Sequence, residues 1–322
     1  MRNSQPQKEK NKFTLAGTVL GLAGIVLITV LLLLGNDLNS SKFSLPEEES
    51  TAVALSPFRN LQLSARSAYV YDMKGKKEIF SRNGSAQLPL ASLTKVMMAI
   101  TALSLLPDTT VVNINPSFLL TEGDSGLYSN ESWQLKDLLN LTLVESSNDG
   151  ANAIASVAGA FGKPDVSEKI GRQQFVEAMN KKAIELNLAQ TYFLNPTGLD
   201  ENVNVSGAYG SAHDMSILFS NAITKYPELF GSTSYHERVF TSLSNLKHVV
   251  KNTNTFVGNI PSLLGSKTGY TDLAGGNLVI AFDAGIDHPI VVSVLGSTEK
   301  GRFEDVEKLV WTTLEYLSNN DL

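Results

Sequence analysis

The chain has 322 residues, of which 43% are hydrophobic and 18% charged, so it can bury one large core or two smaller ones. The formal net charge of −6 argues against a nucleic-acid partner, because phosphate binding requires clustered Lys and Arg. The absence of Cys excludes disulfides and cysteine nucleophiles, and the four His stand singly, so we expect no metal or other cofactor.

An uncharged apolar segment over residues 13–34 is long enough to span a bilayer core of about 30 Å as a helix. A cleaved signal peptide would have a shorter apolar core, roughly 7–15 residues, and a small-residue cleavage site, which does not follow Leu34. Four basic residues lie within residues 1–12, and positive charge stays on the cytoplasmic side. We therefore expect a cytoplasmic tail at 1–12, an uncleaved transmembrane signal anchor at 13–34 and an extracytoplasmic remainder.

Residues 35–60 are polar, acidic in the middle and interrupted by Pro46 and Pro57, which is typical of a linker. We expect a single domain over residues 61–322. It opens at residues 65–80 with a hairpin, because apolar and β-branched or aromatic residues flank a Lys74-Gly75 turn.

The remaining patterns predict helices between that hairpin and a final set of strands. Helices are predicted at 92–106, 135–160, 172–187 and 302–318, and strands at 277–284 and 289–295. This order favours an α+β fold with an antiparallel sheet flanked by helices. The first and last strands of that sheet come from opposite ends of the chain, and a helical lobe is inserted between them.

Three short motifs carry the candidate chemistry in a fixed order: SLTK at 92–95, SSN at 146–148 and KTG at 267–269. Each is weak alone, since the chain also has SNLK at 244–247 and SNN at 318–320. The information lies in the ordered triple and in the flanking residues.

Ser92 and Lys95 are spaced as a nucleophile and its base. Residues i and i+3 of a helix lie on one face, about 5–6 Å apart, so the amine can reach the hydroxyl. Pro89 precedes the pair, which places Ser92 at a helix start, where free N–H groups can stabilise an oxyanion. Lys95 must be neutral to accept a proton, and burial or a neighbouring cation favours that form. The alternative is an N-cap serine followed by a solvated lysine.

Ser146 and Asn148 interrupt an apolar helical pattern with polar groups that need a polar partner. The Ser146 hydroxyl could relay a proton from Lys95 to a leaving amine, and the Asn148 amide could hold a substrate carbonyl or Lys95 itself. The alternative is a capping turn between two helices, which the following Asp149-Gly150 supports.

Lys267, Thr268, Gly269 and Tyr270 are predicted on a strand at the edge of a cleft. Gly269 would let a substrate backbone approach closely, and Lys267 and Thr268 could bind a carboxylate. The Tyr270 N–H would be the second oxyanion donor, and peptide substrates would pair along the strand. The alternative is a hairpin turn with a surface lysine.

With these motifs and their flanks, the chain resembles the low-molecular-mass penicillin-binding proteins, which are serine D-Ala-D-Ala carboxypeptidases. The likeness covers roughly residues 65–314 and is carried by LPLASLTKVMMA, LVESSNDGANAIA, FLNPTGLD, SAHDM, KNTN and GSKTGYTDLAGGNLV. It implies a serine β-lactamase/transpeptidase-like fold and an acyl-enzyme on Ser92. It also implies that Lys95 accepts the proton, Ser146 relays it and Lys267 binds the terminal carboxylate.

The resemblance implies peptidoglycan stem peptides and β-lactams as partners, with the N-terminal helix in the membrane. A D,D-endopeptidase would use the same residues on cross-links. A class A β-lactamase would need a deacylating Glu in an E-x-x-L-N pattern, for which the sequence offers no match. A non-catalytic sensor would have to signal through a cytoplasmic tail of about a dozen residues, which leaves little to signal with.

Overall fold

The computed structural model describes residues 56–120, 122–123 and 126–320. Its strands are β1 Ser67–Asp72, β2 Lys77–Arg82, β3 Leu88–Pro89, β4 Val111–Asn113, β5 Ser132–Gln134, β6 Tyr192–Phe193, β7 Ala208–Gly210, β8 Glu237–Thr241, β9 Lys247–Lys251, β10 Leu263–Thr271, β11 Gly275–Asp283 and β12 Pro289–Ser297. Its α-helices are α1 Thr94–Leu105, α2 Leu135–Glu145, α3 Asn148–Ala160, α4 Glu168–Glu185, α5 Ala212–Lys225, α6 Pro227–Gly231 and α7 Gly301–Asn320.

The central sheet has five antiparallel strands in the order β10-β11-β12-β1-β2. The predicted pairing of the two ends of the chain is confirmed, because β1 pairs with β12 in a register that sets Val70 opposite Val292. The predicted opening hairpin is also confirmed, with β1 and β2 on either side of residues 73–76. This order leaves β10, which carries the KTG motif, at one edge of the sheet.

Both faces of the sheet are buried at β11 and β12, which explains the continuous apolar runs of these two strands. Val279 and Ala281 face the core of the helical side, whereas Leu278, Ile280 and Phe282 face a second core beneath α7. Helix α5 packs on the first face and α7 on the other. An antiparallel sheet with one solvated face would alternate apolar and polar residues instead.

The helical lobe, α1 to α4, shares the larger core with α5. Helix α1 is buried on all sides over residues 94–102, because these residues are apolar apart from Thr94, Lys95 and Thr101. The lobe therefore brings the start of α1 and the junction of α2 and α3 to the edge of the sheet formed by β10.

Three predicted helices have different bounds in the structure. Ser92 lies in a 3₁₀ turn, Ala91–Leu93, and α1 begins at Thr94. The segment predicted as helical over 135–160 is two helices, because Ser146 adopts a left-handed conformation (φ 66°) and ends α2. Helix α4 begins four residues before the predicted start at 172, where the Ser167 hydroxyl accepts a hydrogen bond from the Ile170 N–H as an N-cap.

The predicted tail and membrane anchor lie outside the described residues, as does most of the predicted linker. Within the described ranges no helix is long and apolar enough to cross a membrane. At the end of the predicted linker, Phe58 is buried and stacks on Phe80 with ring centroids 4.9 Å apart.

Candidate active site

Ser92 lies in a turn that is held by contacts on several sides. Ala91, just before it, has a positive φ of 49°, a conformation that costs a non-glycine residue about 1–3 kcal/mol. The Thr94 hydroxyl donates a hydrogen bond of 2.7 Å to the Ala91 carbonyl. Gly198 packs against the same carbonyl so closely that a Cβ there would lie 1.9 Å from the oxygen. The conformation of this turn is therefore fixed by contacts with neighbouring residues and not by the intrinsic backbone preference of Ala91.

Lys95 is fully buried, and its Nζ has three oxygen neighbours. It lies 2.9 Å from Ser92 Oγ, 2.7 Å from Asn148 Oδ1 and 2.8 Å from the Thr197 carbonyl. Burial lowers the pKa of Lys95 from 10.5 to about 7. A large fraction of this amine is therefore neutral near neutral pH.

The three neighbours determine where a neutral Lys95 directs its lone pair. The Asn148 Oδ1 and the Thr197 carbonyl only accept, so they take the two hydrogens of the neutral amine. The Asn148 amide is oriented by its Nδ2, which donates a 2.7 Å hydrogen bond to the Glu122 carbonyl. The lone pair is then left for the one neighbour with a hydrogen to give, the hydroxyl of Ser92.

Ser146 and Lys267 form a second contact near the first pair. Lys267 Nζ donates to Ser146 Oγ at 2.8 Å and to the Thr268 carbonyl at 2.9 Å. Lys267 is 1% exposed, and its pKa is lowered well below 10.5, first by burial and then by the charges of Lys95 and Arg302. Ser146, whose backbone is left-handed, ends α2, and its hydroxyl contacts this amine.

Strand β10 runs directly beside the turn that carries Ser92. A Cβ on Gly269 would lie 2.9 Å from the Leu90 carbonyl and 3.1 Å from the Ser92 nitrogen. Only glycine lets the strand and the turn approach this closely. The backbone N–H of Ser92 and the backbone of β10 near Tyr270 are thereby brought together at one edge of the sheet.

The structure brings together all eight residues that the sequence predicts, and it adds others that the sequence reasoning missed. Arg302 donates through Nη1 to the Gly269 carbonyl at 2.8 Å, and burial lowers its pKa. Asn277 donates to the Pro89 carbonyl at 2.9 Å and accepts from the Gly296 N–H at 2.8 Å, so it ties the segment before Ser92 to two strands. Asn277 belongs to the GGN of the last resembling stretch, GSKTGYTDLAGGNLV, whereas nothing in the local sequence marks Arg302.

The two similar motifs elsewhere lie apart from this cluster. Ser244 and Lys247 belong to the β8–β9 hairpin, where the Ser244 hydroxyl accepts from the Ser132 N–H. Residues 318–320 form the end of α7. In the described part of the chain, no group of three or more Asp, Glu or His is placed to hold a metal ion.

The fold is that of the penicillin-binding proteins and D,D-transpeptidases. The Streptomyces K15 DD-transpeptidase matches 79% of this chain and 98% of its own with a TM-score of 0.71 at 20% identity, which shows the fold alone. Penicillin-binding protein D2 of Listeria monocytogenes, solved in an ampicillin-bound form, matches 79% of this chain and 98% of its own with a TM-score of 0.66 at 27% identity.

A family described as D-alanyl-D-alanine carboxypeptidase matches residues 51–299, and the chain belongs to that family. The D-alanyl-D-alanine carboxypeptidase DacF of Bacillus subtilis is 30% identical over 76% of this chain, although the match spans only 61% of DacF. A D-alanyl-D-alanine endopeptidase of Escherichia coli is 31% identical over 73% of this chain and 72% of its own length.

Proposed function

We propose that the chain is a serine D,D-carboxypeptidase that removes the terminal D-alanine from peptidoglycan stem peptides through an acyl-enzyme on Ser92, and that β-lactams acylate the same serine. The observation that carries the proposal is the fully buried Lys95 amine, with its lone pair left for the hydroxyl of Ser92. Membership of the D-alanyl-D-alanine carboxypeptidase family gives the substrate class.

In the acylation step, Ser92 Oγ attacks the carbonyl of the penultimate D-alanine while its proton passes to neutral Lys95. The N–H groups of Ser92 and Tyr270 stabilise the oxyanion, with β10 pairing to the substrate backbone. The C–N bond then breaks, and the proton that Lys95 accepted passes by way of the Ser146 hydroxyl to the D-alanine amine, which leaves Lys95 neutral again. Water hydrolyses the ester, which releases the shortened peptide and restores Ser92.

Lys267 and Thr268 recognise the carboxylate of the terminal D-alanine in this proposal. The two residues are adjacent on β10, the edge strand of the sheet, and the Lys267 amine is already directed at Ser146. Asn148 positions Lys95 by accepting a hydrogen bond from its amine through Oδ1. Gly269 lets β10 lie close to the turn that carries the nucleophile, as the assignment of the two oxyanion donors requires.

A D,D-endopeptidase is a second candidate, because two curated relatives of this name are 33% and 31% identical to the chain. The same residues would cleave a D-alanyl cross-link whose leaving group is a side-chain amine rather than free D-alanine. Product analysis on isolated muropeptides separates the two, since a carboxypeptidase releases D-alanine and an endopeptidase releases monomers from dimers.

The site of action in this proposal is outside the cytoplasm, with the chain held to the cell membrane by residues 13–34. The apolar sequence of this segment and the basic residues before it support that placement. A protease added to intact protoplasts should then digest the domain and leave the tail at residues 1–12 protected.

Fluorescent penicillin tests the assignment of the nucleophile. Ser92→Ala should lose both the label and D-alanine release while its melting temperature stays close to that of the wild type. Ser244→Ala, in the similar SNLK motif, is the matched control and should keep both activities. A label retained by Ser92→Ala, or mapped by peptide analysis to another serine, would contradict the proposal.

A further inference from the structure

Thr253, which the proposed mechanism does not use, makes a direct contact with the KTG motif. Its Oγ1 lies 2.6 Å from the Oγ1 of Thr268, a residue that is only 4% exposed. Thr253 follows the end of β9, and its N–H donates to the Val144 carbonyl at 3.2 Å. Since Val144 lies near the end of α2, Thr253 is held by the helical lobe on one side and contacts β10 on the other.

The direction of this hydrogen bond decides what Thr268 can offer to a ligand. Each hydroxyl has one hydrogen. One of the two hydroxyls donates its hydrogen to the other, and the hydroxyl that accepts keeps its own hydrogen free for another partner. If Thr268 donates to Thr253, its lone pairs face the cleft and repel an anion. If Thr253 donates to Thr268, the hydrogen of Thr268 is free to donate to the ligand, and the two bonds in series strengthen each other.

We propose that Thr253 is a positioning residue that fixes the Thr268 hydroxyl as a hydrogen-bond donor and so makes the site select a terminal carboxylate over a terminal amide. This inference rests on the proposed function, in which Thr268 contacts the carboxylate. A carboxylate only accepts hydrogen bonds, so it requires the donating direction. A primary amide both donates and accepts, so it fits either direction of the Thr253–Thr268 bond and gains nothing from Thr253.

The test compares two peptides that end in D-Ala-D-Ala, one with a free carboxylate and one amidated. Thr253→Val keeps the shape and removes the hydroxyl. It should lower kcat/KM for the carboxylate peptide by about three- to tenfold, the usual effect of one neutral hydrogen bond, and leave the amide within about twofold. Thr253→Ser should restore the wild-type preference. Thr255→Val, exposed in the same segment, is the matched control and should change neither peptide.

A double-mutant cycle with Thr268→Val uses the carboxylate peptide alone. Because Thr253 acts through Thr268, Thr253→Val should cost little in the Thr268→Val background, which gives non-additive losses. Equal losses on both peptides, additive losses in the cycle, or a failure of Thr253→Ser to restore the preference would overturn the inference. Wild-type protein that releases no D-alanine would overturn the proposed function and this inference with it.

Discussion

Lys95 is the residue on which the proposed chemistry depends, because an ammonium group has no lone pair to accept a proton. Its environment contains acceptors, Asn148 Oδ1 and the Thr197 carbonyl, but burial outweighs their attraction for the charged form and brings its pKa to about 7. The side chain therefore changes protonation state within the range where the enzyme would work. This is the condition that makes a general base efficient.

The rate of acylation should rise with pH through an inflection near 7, where Lys95 loses its proton. Above the pKa of Lys95 the amine is neutral and can accept the Ser92 proton, whereas below it the rate should fall by roughly tenfold per pH unit. The measurement is the rate of fluorescent-penicillin labelling from about pH 5 to about pH 9. Lys95→Arg keeps the positive charge but accepts no proton, so it should fail to acylate at every pH. A flat profile, or acylation by the arginine variant, would show that another group activates Ser92.

Individual site residues could be predicted where the chemistry depends on local spacing. The separation of Ser92 and Lys95 gave the nucleophile and base, although the first is in a 3₁₀ turn rather than in the helix. The partners of Lys267 could not be predicted, because Ser146 is 121 residues away and only the packing of the lobe against β10 brings it near. The catalytic roles of all these residues stay predictions.

At the scale of elements, the turn before α1 depends on a loop from a distant part of the sequence. The loop at residues 195–199 is ordered by the side chain of Asn195, whose Oδ1 accepts from the Thr197 and Gly198 N–H groups. This places the Thr197 carbonyl on Lys95 and Gly198 on the Ala91 carbonyl. One loop thus fixes both the base and the turn that carries the nucleophile.

Gly198→Ala should therefore impair acylation. Gly198 has a φ of +82°, and its added Cβ would meet the Ala91 carbonyl oxygen at 1.9 Å, so the turn with Ser92 must move. We expect the labelling rate to fall by about tenfold or more, since misplacement by about 1 Å costs roughly a hundredfold in comparable sites. Gly162→Ala is the matched control, because Gly162 also has a positive φ (+72°) but nothing within 4 Å of an added Cβ.

The control separates backbone strain from the clash. Both variants should lose about 1 kcal/mol of stability from the left-handed backbone, and only Gly198→Ala should also lose labelling. Thermal melts and labelling rates of the two proteins at one temperature make the comparison. Equal labelling by both variants would mean that the contact between Gly198 and Ala91 does not position Ser92.

The sequence patterns predict some of the helices and strands closely and do not predict others. Strands β11 and β12 and helix α7 lie within two residues of their predicted bounds, and β1 and β2 together lie within two residues of the predicted hairpin at 65–80, because apolar runs between turns define them. The strand that carries the KTG motif was predicted without bounds. Helix α5 and the β8–β9 hairpin were not predicted as elements, since the polar Ser216 and Ser220 sit within α5 and the hairpin is only half apolar. The break between α2 and α3 follows from one residue, Ser146, whose left-handed conformation no propensity favours.

At the scale of the whole molecule, the candidate site lies where the helical lobe meets the edge of the sheet, and the sheet takes its strands from both sides of that lobe in the sequence. The helical lobe is inserted between β2 and β10, so it can rest against the edge of the sheet without interrupting the pairing of β1 with β12. This architecture was predictable from the order of the patterns. The identity of the edge strand was predictable only from the expectation that the KTG segment lines a cleft.

Asp305 joins the segment before β1 to the end of β12. It is fully buried at the start of α7, and its carboxylate accepts hydrogen bonds from the N–H groups of Ser64 and Ala65 and from the Ser297 hydroxyl, at 2.9, 2.8 and 2.7 Å. These donors lie just before β1 and at the end of β12. The carboxylate therefore holds together the segment before β1, the last strand and the helix that covers both.

Asp305→Asn should lower the free energy of unfolding by about 2–4 kcal/mol, because the amide turns a donor toward groups that are themselves donors and leaves one of them unpaired in the core. Glu304→Gln removes the same charge one residue earlier in α7. Its carboxylate is exposed and only 3.7 Å from the exposed Lys300, so we expect a change within about 0.5 kcal/mol. Urea unfolding of the two variants and the wild type, with the slope checked to be constant, measures the difference. If Asp305→Asn were no less stable than Glu304→Gln, the three hydrogen bonds of Asp305 would make no net contribution to the free energy of unfolding. The segment before β1, β12 and α7 would then be held together by the apolar core beneath α7 alone.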